Sequence, residues 1–285
     1  MNGIQLTLGI VLSGLTAVGP AATQAAGDDW DYGDDAARDL AIAAVSFENF
    51  GVAVRCMEDH LSVVLSGLPA GSGQRVMKLQ LGDYVEAESK WVSGRDSTTA
   101  FAIWPRSVAT HLSGGGRLSL DVPDGTRTRR YAVDLPPSRN SIARVFSACG
   151  RTLDPGNDEP APADEDFAGL VWVQSPEVRF PDRARYEAGL AAIRCEVEAG
   201  GDLRDCQIES EFPEGSGFGR AATLAAHRTA RVGPAGPGDT DIEGRSVAFL
   251  VRYSLSNGFL APPPSRLPDR DEAYGSPGAR TEPAD

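Results

Sequence analysis

The stretch RCEVEAGGDLRDC, residues 194–206, constrains the fold more than any other, because it sets two of the chain's four cysteines about Gly200-Gly201. Closely spaced cysteines serve three chemistries. Zinc sites draw on pairs such as C-x2-C, and this chain has none. Redox pairs use C-x-x-C at a helix start, which is also absent. A staple across a hairpin fits. Strands over 190–197 and 203–210 place Cys195 opposite Cys206 and Ile193 opposite Ile208, pairing two β-branched residues on the same side. Gly-Gly tolerates the positive φ of a tight turn. A two-residue loop and a four-residue loop over 199–202 both keep this facing pair, the second at a non-hydrogen-bonded position where Cβ atoms lie closer.

Structural disulfides form in oxidising compartments, and the N-terminus agrees. MNGIQLTLGIVLSGLTAVGPAATQAAG has an apolar stretch over 4–18, then Pro20 and a run of small residues. It reads as a secretory signal over 1–26, cut near Ala25 or Ala26, although no Lys or Arg precedes the apolar stretch. At about 15 residues that stretch falls short of the roughly 20 needed to span a bilayer. If retained, it would be an inner-membrane anchor; if cut, no lasting anchor remains. The second pairing is then Cys56 with Cys149. Cys56 ends GVAVRC, with Val52 and Val54 on the same strand face. Cys149 shares a helical stripe with Ile142, Val145 and Phe146. The bond would close a loop of roughly 90 residues, a stabilisation on the order of 4–5 kcal/mol.

Residues 27–40, GDDWDYGDDAARDL, read as a solvated acidic lead-in. From about Ile42 to Leu135 come short apolar runs, GVAVRC, LSVVLS, RVMKLQL, AFAIW, RLSLDV and RYAVDL, separated by turn signals such as Leu68-Pro69-Ala70-Gly71, Gly114-Gly115-Gly116 and Pro123-Asp124-Gly125. This pattern predicts a small β-rich sandwich or roll over 27–153 with one C-terminal helix over 138–149. A Pro-rich, acidic linker follows over 154–168; at about 3.1 Å per residue its core, 154–166, reaches only about 40 Å. A second module spans 169–256, and 257–285 reads as a disordered tail. The class is α+β.

The second module runs in the order helix (DRARYEAG), stapled hairpin, helix (GSGFGRAATLAAHRTAR) and an alternating strand with Val247, Phe249, Val251, Tyr253 and Leu255 on one face. Its start, S-P…F-P-x-x-A (Ser175, Pro176, Phe180, Pro181, Ala184), is followed by Gly189, the Gly201-Asp202 turn, Ser210, the Ala-rich helix, Pro234 and the apolar last strand. In this order the module resembles the C-terminal domain of TonB-family energy transducers. The cysteines followed by E-x-P-x-G-x-G-F-G, from Glu211 to Gly219, resemble a cysteine-bearing alphaproteobacterial branch. The resemblance covers roughly a third of the chain, and it implies an α-β-β-α-β domain in a Gram-negative periplasm that grips a receptor segment as an added strand. By position it points to Pro176, Phe180, Pro181, Val247, Phe249 and Val251 as partner contacts. The same residues also fit a buried core. The departures are clear: the family's Ser-x-x-x-His pattern is missing after Ser13, and a folded module stands where a long periplasmic span would be.

Other chemistry is sparse. The net charge of −13 disfavours nucleic acid and anionic lipid as partners. The three histidines, His60, His111 and His227, form no metal or catalytic set; Glu58-Asp59-His60 reads as a hairpin turn. GSGFGR over 215–220 imitates a phosphate loop but has Arg at the sixth position, and reads as a helix start. Trp91 and Trp104 read as packing residues. A hydrolase would need His60 or His111 beside a serine and a carboxylate. The expectation is a non-enzymatic periplasmic protein without cofactor or metal, binding an envelope protein and assisting TonB-type transmembrane transport. The alternative is a short membrane-anchored transducer coupling an inner-membrane motor to outer-membrane receptors.

Overall fold

The computed structural model describes residues 30–82, 85–154, 165–167, 169–182, 186–236 and 241–255. The signal segment, the tail and most of the linker lie outside the described residues. Strands dominate, with three helices among the described residues.

Nine strands form one antiparallel sheet: β1 (Asp31–Asp35), β2 (Leu40–Phe47), β3 (Phe50–Met57), β4 (His60–Ser66), β5 (Gly71–Leu81), β6 (Ala87–Ser97), β7 (Ala100–Ala102), β8 (Gly116–Asp124) and β9 (Arg127–Leu135). Their spatial order is β1-β2-β3-β4-β7-β6-β5-β8-β9. Burial alternates along β3, where Phe50, Val52, Val54 and Cys56 point inward, as the period of a half-buried strand requires. Glu58 and Asp59 turn β3 into β4 with φ of 50° and 63°, the backbone of a two-residue hairpin loop.

The sheet is not a pair of stacked sheets; it curls. The Phe50 ring on β3 lies 5.0 Å from Tyr131 on β9, six places away in the sheet, and the Tyr131 hydroxyl donates to the Gly67 carbonyl at 2.8 Å. Accumulated strand twist brings β3 and β9 round one core. Helix α1 (Pro105–Ser113) and helix α2 (Arg139–Ala148) pack on it. Ile142, Val145 and Phe146 of α2 are fully buried, and Cys149 is bonded to Cys56 with Cα atoms 5.6 Å apart.

Three expectations are corrected here. The acidic lead-in stays exposed or half-buried but is not free chain: β1 pairs with β2, and Trp30 is buried with its indole N–H donating to the Pro136 carbonyl at 3.0 Å. One deeply anchored aromatic holds a strand that is otherwise polar. AFAIW is a strand only to Ala102, because Pro105 opens α1 at its first turn, where a missing N–H costs nothing. β6 has no counterpart among the expected strands; it carries one apolar pair, Trp91-Val92, amid Ser, Lys, Arg and Asp.

The second unit contains β10 (Glu165–Asp166), β11 (Leu170–Gln174), β12 (Ala188–Val197), β13 (Leu203–Phe212), α3 (Phe218–Thr229), β14 (Arg231–Pro234) and β15 (Ser246–Ser254). β10-β15-β12-β13 make one antiparallel sheet, and β11-β14 a ribbon. The helix expected over 182–189 is not formed in its described part: residues 183–185 lie outside the described residues, and Ala188 already faces Ser254 in β12. The linker is not wholly free chain, since Glu165 faces Phe249 as a strand.

The hairpin register is Ile193 opposite Ile208, with Cys195 bonded to Cys206 and Cα atoms 4.0 Å apart. The loop differs from both expected lengths. Val197 faces Leu203, and the offset is absorbed by a bulge at Asp205, whose φ is 48°. Packing at the loop end explains it: Asp202 bridges to Arg231 and the Val232 N–H donates to the Gly201 carbonyl at 2.8 Å. Gly201, at φ 85°, presses on that carbonyl strand where a side chain would collide.

Candidate functional site

β12 and β15 are buried on both faces. Ala191, Ile193, Val247, Phe249, Val251 and Tyr253 pack beneath α3, whereas Leu190, Ala192, Ala248 and Leu250 pack against Val92 of the curled sheet and Ile103 and Trp104 between β7 and α1. Burial of each large side chain in that seam contributes roughly 1.5–3 kcal/mol. The sequence carries the signal as unbroken apolar runs, LAAI and VAFLV, which mark strands covered on both sides.

A second bulge, between Ala192 and Ile193, makes Glu209 the extra residue of β13. Bulges re-aim side chains, and this one turns Glu209 and Ser210 together toward the first unit. The Ser210 hydroxyl donates to the Ile103 carbonyl at 2.6 Å. The Glu209 side chain, 2% exposed, is bonded to Arg106 of α1, to Arg194 of β12 at 3.2 Å and to Arg151, beyond α2, at 3.4 Å. Arg151 also donates to the Ile208 carbonyl at 2.8 Å. Burial pulls the Arg151 guanidinium below its usual pKa, and Glu209 opposes that pull. Arg55 extends the seam, bonded to Glu214 at 2.6 Å and lying over Phe101.

Beside this seam a shallow cleft is lined by His60, Ser62, Phe101, Ser210, Glu211 and Glu214. It gathers the residue types a hydrolase uses, but not their bonds. His60 Nδ1 meets the Glu58 carbonyl at 2.7 Å and Nε2 lies 3.9 Å from Glu211. Ser62 accepts from Arg55, and Ser210 is spent on Ile103. Glu211 receives the N–H groups of Gly219 at 2.7 Å and Gly217 at 3.5 Å, so the apparent phosphate loop is a helix start whose positive end is already met by a carboxylate. Among the described residues no group of three His, Cys, Asp or Glu is placed to hold a metal. His111 and His227 bond to backbone carbonyls of Ser107 and Leu203.

The residues assigned to partner contact fall in one region but mostly inside it. Val247, Phe249 and Val251 are 0%, 2% and 4% exposed, and Pro176 is buried. Phe180 and Pro181 are half-buried; the Phe180 ring meets Phe218 edge-on at 5.4 Å and Tyr253 at 6.0 Å. The Tyr253 hydroxyl donates to the Phe218 carbonyl at 2.8 Å, and burial raises its pKa well above the usual tyrosine value, with Glu211 adding to the rise. What β15 offers outward is its backbone. β10 pairs with Ala248 and Phe249 only, and 250–254 have no strand partner on that side among the described residues. Sequence reasoning missed Glu209, Arg106, Arg151 and Arg194 and read His60 only as part of a turn; Arg106 and Arg151 reach Glu209 across the seam, and Arg194 meets it within the hairpin.

No family model matches the chain, and no curated protein or solved structure matches it. Two disulfides are present, and no helix among the described residues is long and apolar enough to cross a membrane. The disulfides are compatible with export.

Proposed function

We propose that this is a periplasmic, non-enzymatic, TonB-like binding protein that takes an extended segment of an envelope protein on the outer edge of β15. The observation that carries the reading is the half-filled edge. A helix-covered antiparallel sheet ends in a strand whose first part is paired by the chain's own β10 and whose remainder, 250–254, is unpaired among the described residues. Unpaired edge groups are templates for an added strand. The buried side chains of Val247, Phe249 and Val251 then act by stiffening that template, not by touching the partner. The docked seam counts against a transducer whose C-terminal domain must travel away from the rest of the chain.

A photoreactive residue at Ser254, exposed at the end of β15, tests this in the native envelope, with the same probe at exposed Arg129 on β9 as control. The reading expects an adduct at Ser254 alone, mapping to an extended segment of one envelope protein. Equal adducts at both positions, or none, would sink it.

A further inference from the structure

The curled sheet carries a second feature, at the rim where β5 and β6 begin and end. Arg75 faces Trp91 and Gly73 faces Ser93 across the β5–β6 ladder. Arg75, Trp91 and Ser93 lie on the inner face, 9%, 1% and 1% exposed. All three present donors. The Arg75 guanidinium has one bond, to the Pro69 carbonyl at 3.1 Å, and no carboxylate among the described residues lies within ion-pair range of it. The acidic group nearest in influence, Asp124, is bonded to Arg129 at 3.4 Å. The indole N–H of Trp91 and the hydroxyl of Ser93 have no hydrogen-bond partner among the described residues.

Buried polar groups are normally satisfied, and buried charges are normally paired. Water could meet the indole and the hydroxyl, but water does not balance a guanidinium. Local backbone leaves room. A Cβ at Gly71 would come within 2.8 Å of the Arg75 guanidinium carbon and push the planar group aside, and a Cβ at Gly73 would meet nothing within 4 Å. The row therefore opens toward solvent at Gly73, opposite Ser93.

We propose that Arg75, Trp91 and Ser93 form a binding site for the oxyanion of a small ligand, a carboxylate or a phosphate. Arg75 supplies the charge and a planar pair of donors, and Trp91 and Ser93 complete the cradle. Burial lowers the Arg75 pKa, with Tyr131 and Asp124 opposing, and a bound anion would restore it.

The test uses the full, disulfide-intact chain. Unfolding midpoints are measured in acetate, phosphate and chloride at matched ionic strength, and calorimetry gives the Kd for each anion. The site expects a saturating rise in Tm in acetate, phosphate or both, relative to chloride. A rise in acetate alone assigns a carboxylate ligand, and a rise in phosphate alone assigns a phosphate. Arg75→Met should abolish the rise. Ser93→Ala should weaken binding about 3- to 10-fold while leaving the chloride Tm unchanged, and it carries the test should the Arg75 variant fail to fold. Equal Tm in all three salts, or a rise that survives both substitutions, would show the donors to be met by water only and overturn the site.

Discussion

Replacing Glu209 by Gln keeps volume and shape but removes the one carboxylate at the centre of three arginines. The cost follows from exposure. Glu209 is 2% exposed, and the side chains of Arg151, Arg194 and Arg106 are 16%, 17% and 38% exposed. The Arg106 pair is open enough to solvent that its share is at most about 1 kcal/mol. Arg151 and Arg194 are left as partly buried cations without that carboxylate, and breaking a buried pair costs about 3–5 kcal/mol. Discounting for what remains exposed, the expected loss is about 3 kcal/mol. For a chain of this size that lowers Tm by roughly 6–12 °C. Urea unfolding of the oxidised protein, followed by fluorescence and circular dichroism, measures it. Because the cluster joins the two units, the loss should also split one transition into two. A variant within about 0.5 kcal/mol of the parent, with a single unchanged transition, would refute the view that this cluster holds the units together.

Other outcomes follow from the same structure. Removing the Cys56–Cys149 bond should cost more than removing Cys195–Cys206, about 4–5 against about 3 kcal/mol, since the first spans 93 residues and the second 11; paired Cys→Ala variants in urea decide the order. Gly189→Ala should destabilise by roughly 2 kcal/mol, because its Cβ would collide with the Phe218 ring and the Phe212 carbonyl. Tyr253 should resist ionisation in the folded state. Its pKa is raised in the fold, so its contribution is whole below about pH 10, where an unfolded tyrosine stays neutral, and is lost as pH rises above that; Tyr253→Phe should flatten the alkaline loss, read as Tm against pH. Asp121 behaves in the opposite sense. Its bond to Arg130 holds its carboxyl below the usual range, so the stability it adds is lost only as pH falls through that lower value, and NMR titration against Asp121→Asn checks it.

What was legible in the sequence was local. The turn at Glu58-Asp59, the alternation of β3 and β8, the stripe of α2 and the cysteine pairings are set by neighbours within one hairpin or one helix, or by two faces that each announce their polarity. The lead-in and β6 were not legible, because a strand held by a partner needs little apolar character of its own: Trp30 anchors one and the Trp91-Val92 pair the other. The loop of the stapled hairpin was misread because its length answers to β14, a strand 30 residues on. The Glu209 cluster was the least accessible. Its members, Arg106 of α1, Arg151 beyond α2, Arg194 of β12 and Glu209 of β13, are scattered over a hundred residues of chain, and no spacing links them all.

Burial of one sheet on both faces also narrows what a partner can reach. The faces of β12 and β15 are closed by α3 on one side and the curled sheet on the other. β13 lies against β4, and its outer region carries the Arg151 bond to Ile208. On β15, Ala248 and Phe249 are taken by β10. The open backbone at 250–254 includes Arg252, whose guanidinium donates to the Gln74 side chain of β5 at 3.0 Å across the seam. A strand added there must therefore run alongside that bond or displace it. Gln74→Ala separates the two. If the partner displaces the bond, the variant binds more tightly, because less must be broken; if the partner runs beside it, affinity is unchanged and only the stability of the free protein falls. Weaker binding on losing Gln74 would mean that the first unit itself contributes to the grip, and that the two units form one receptor-facing surface.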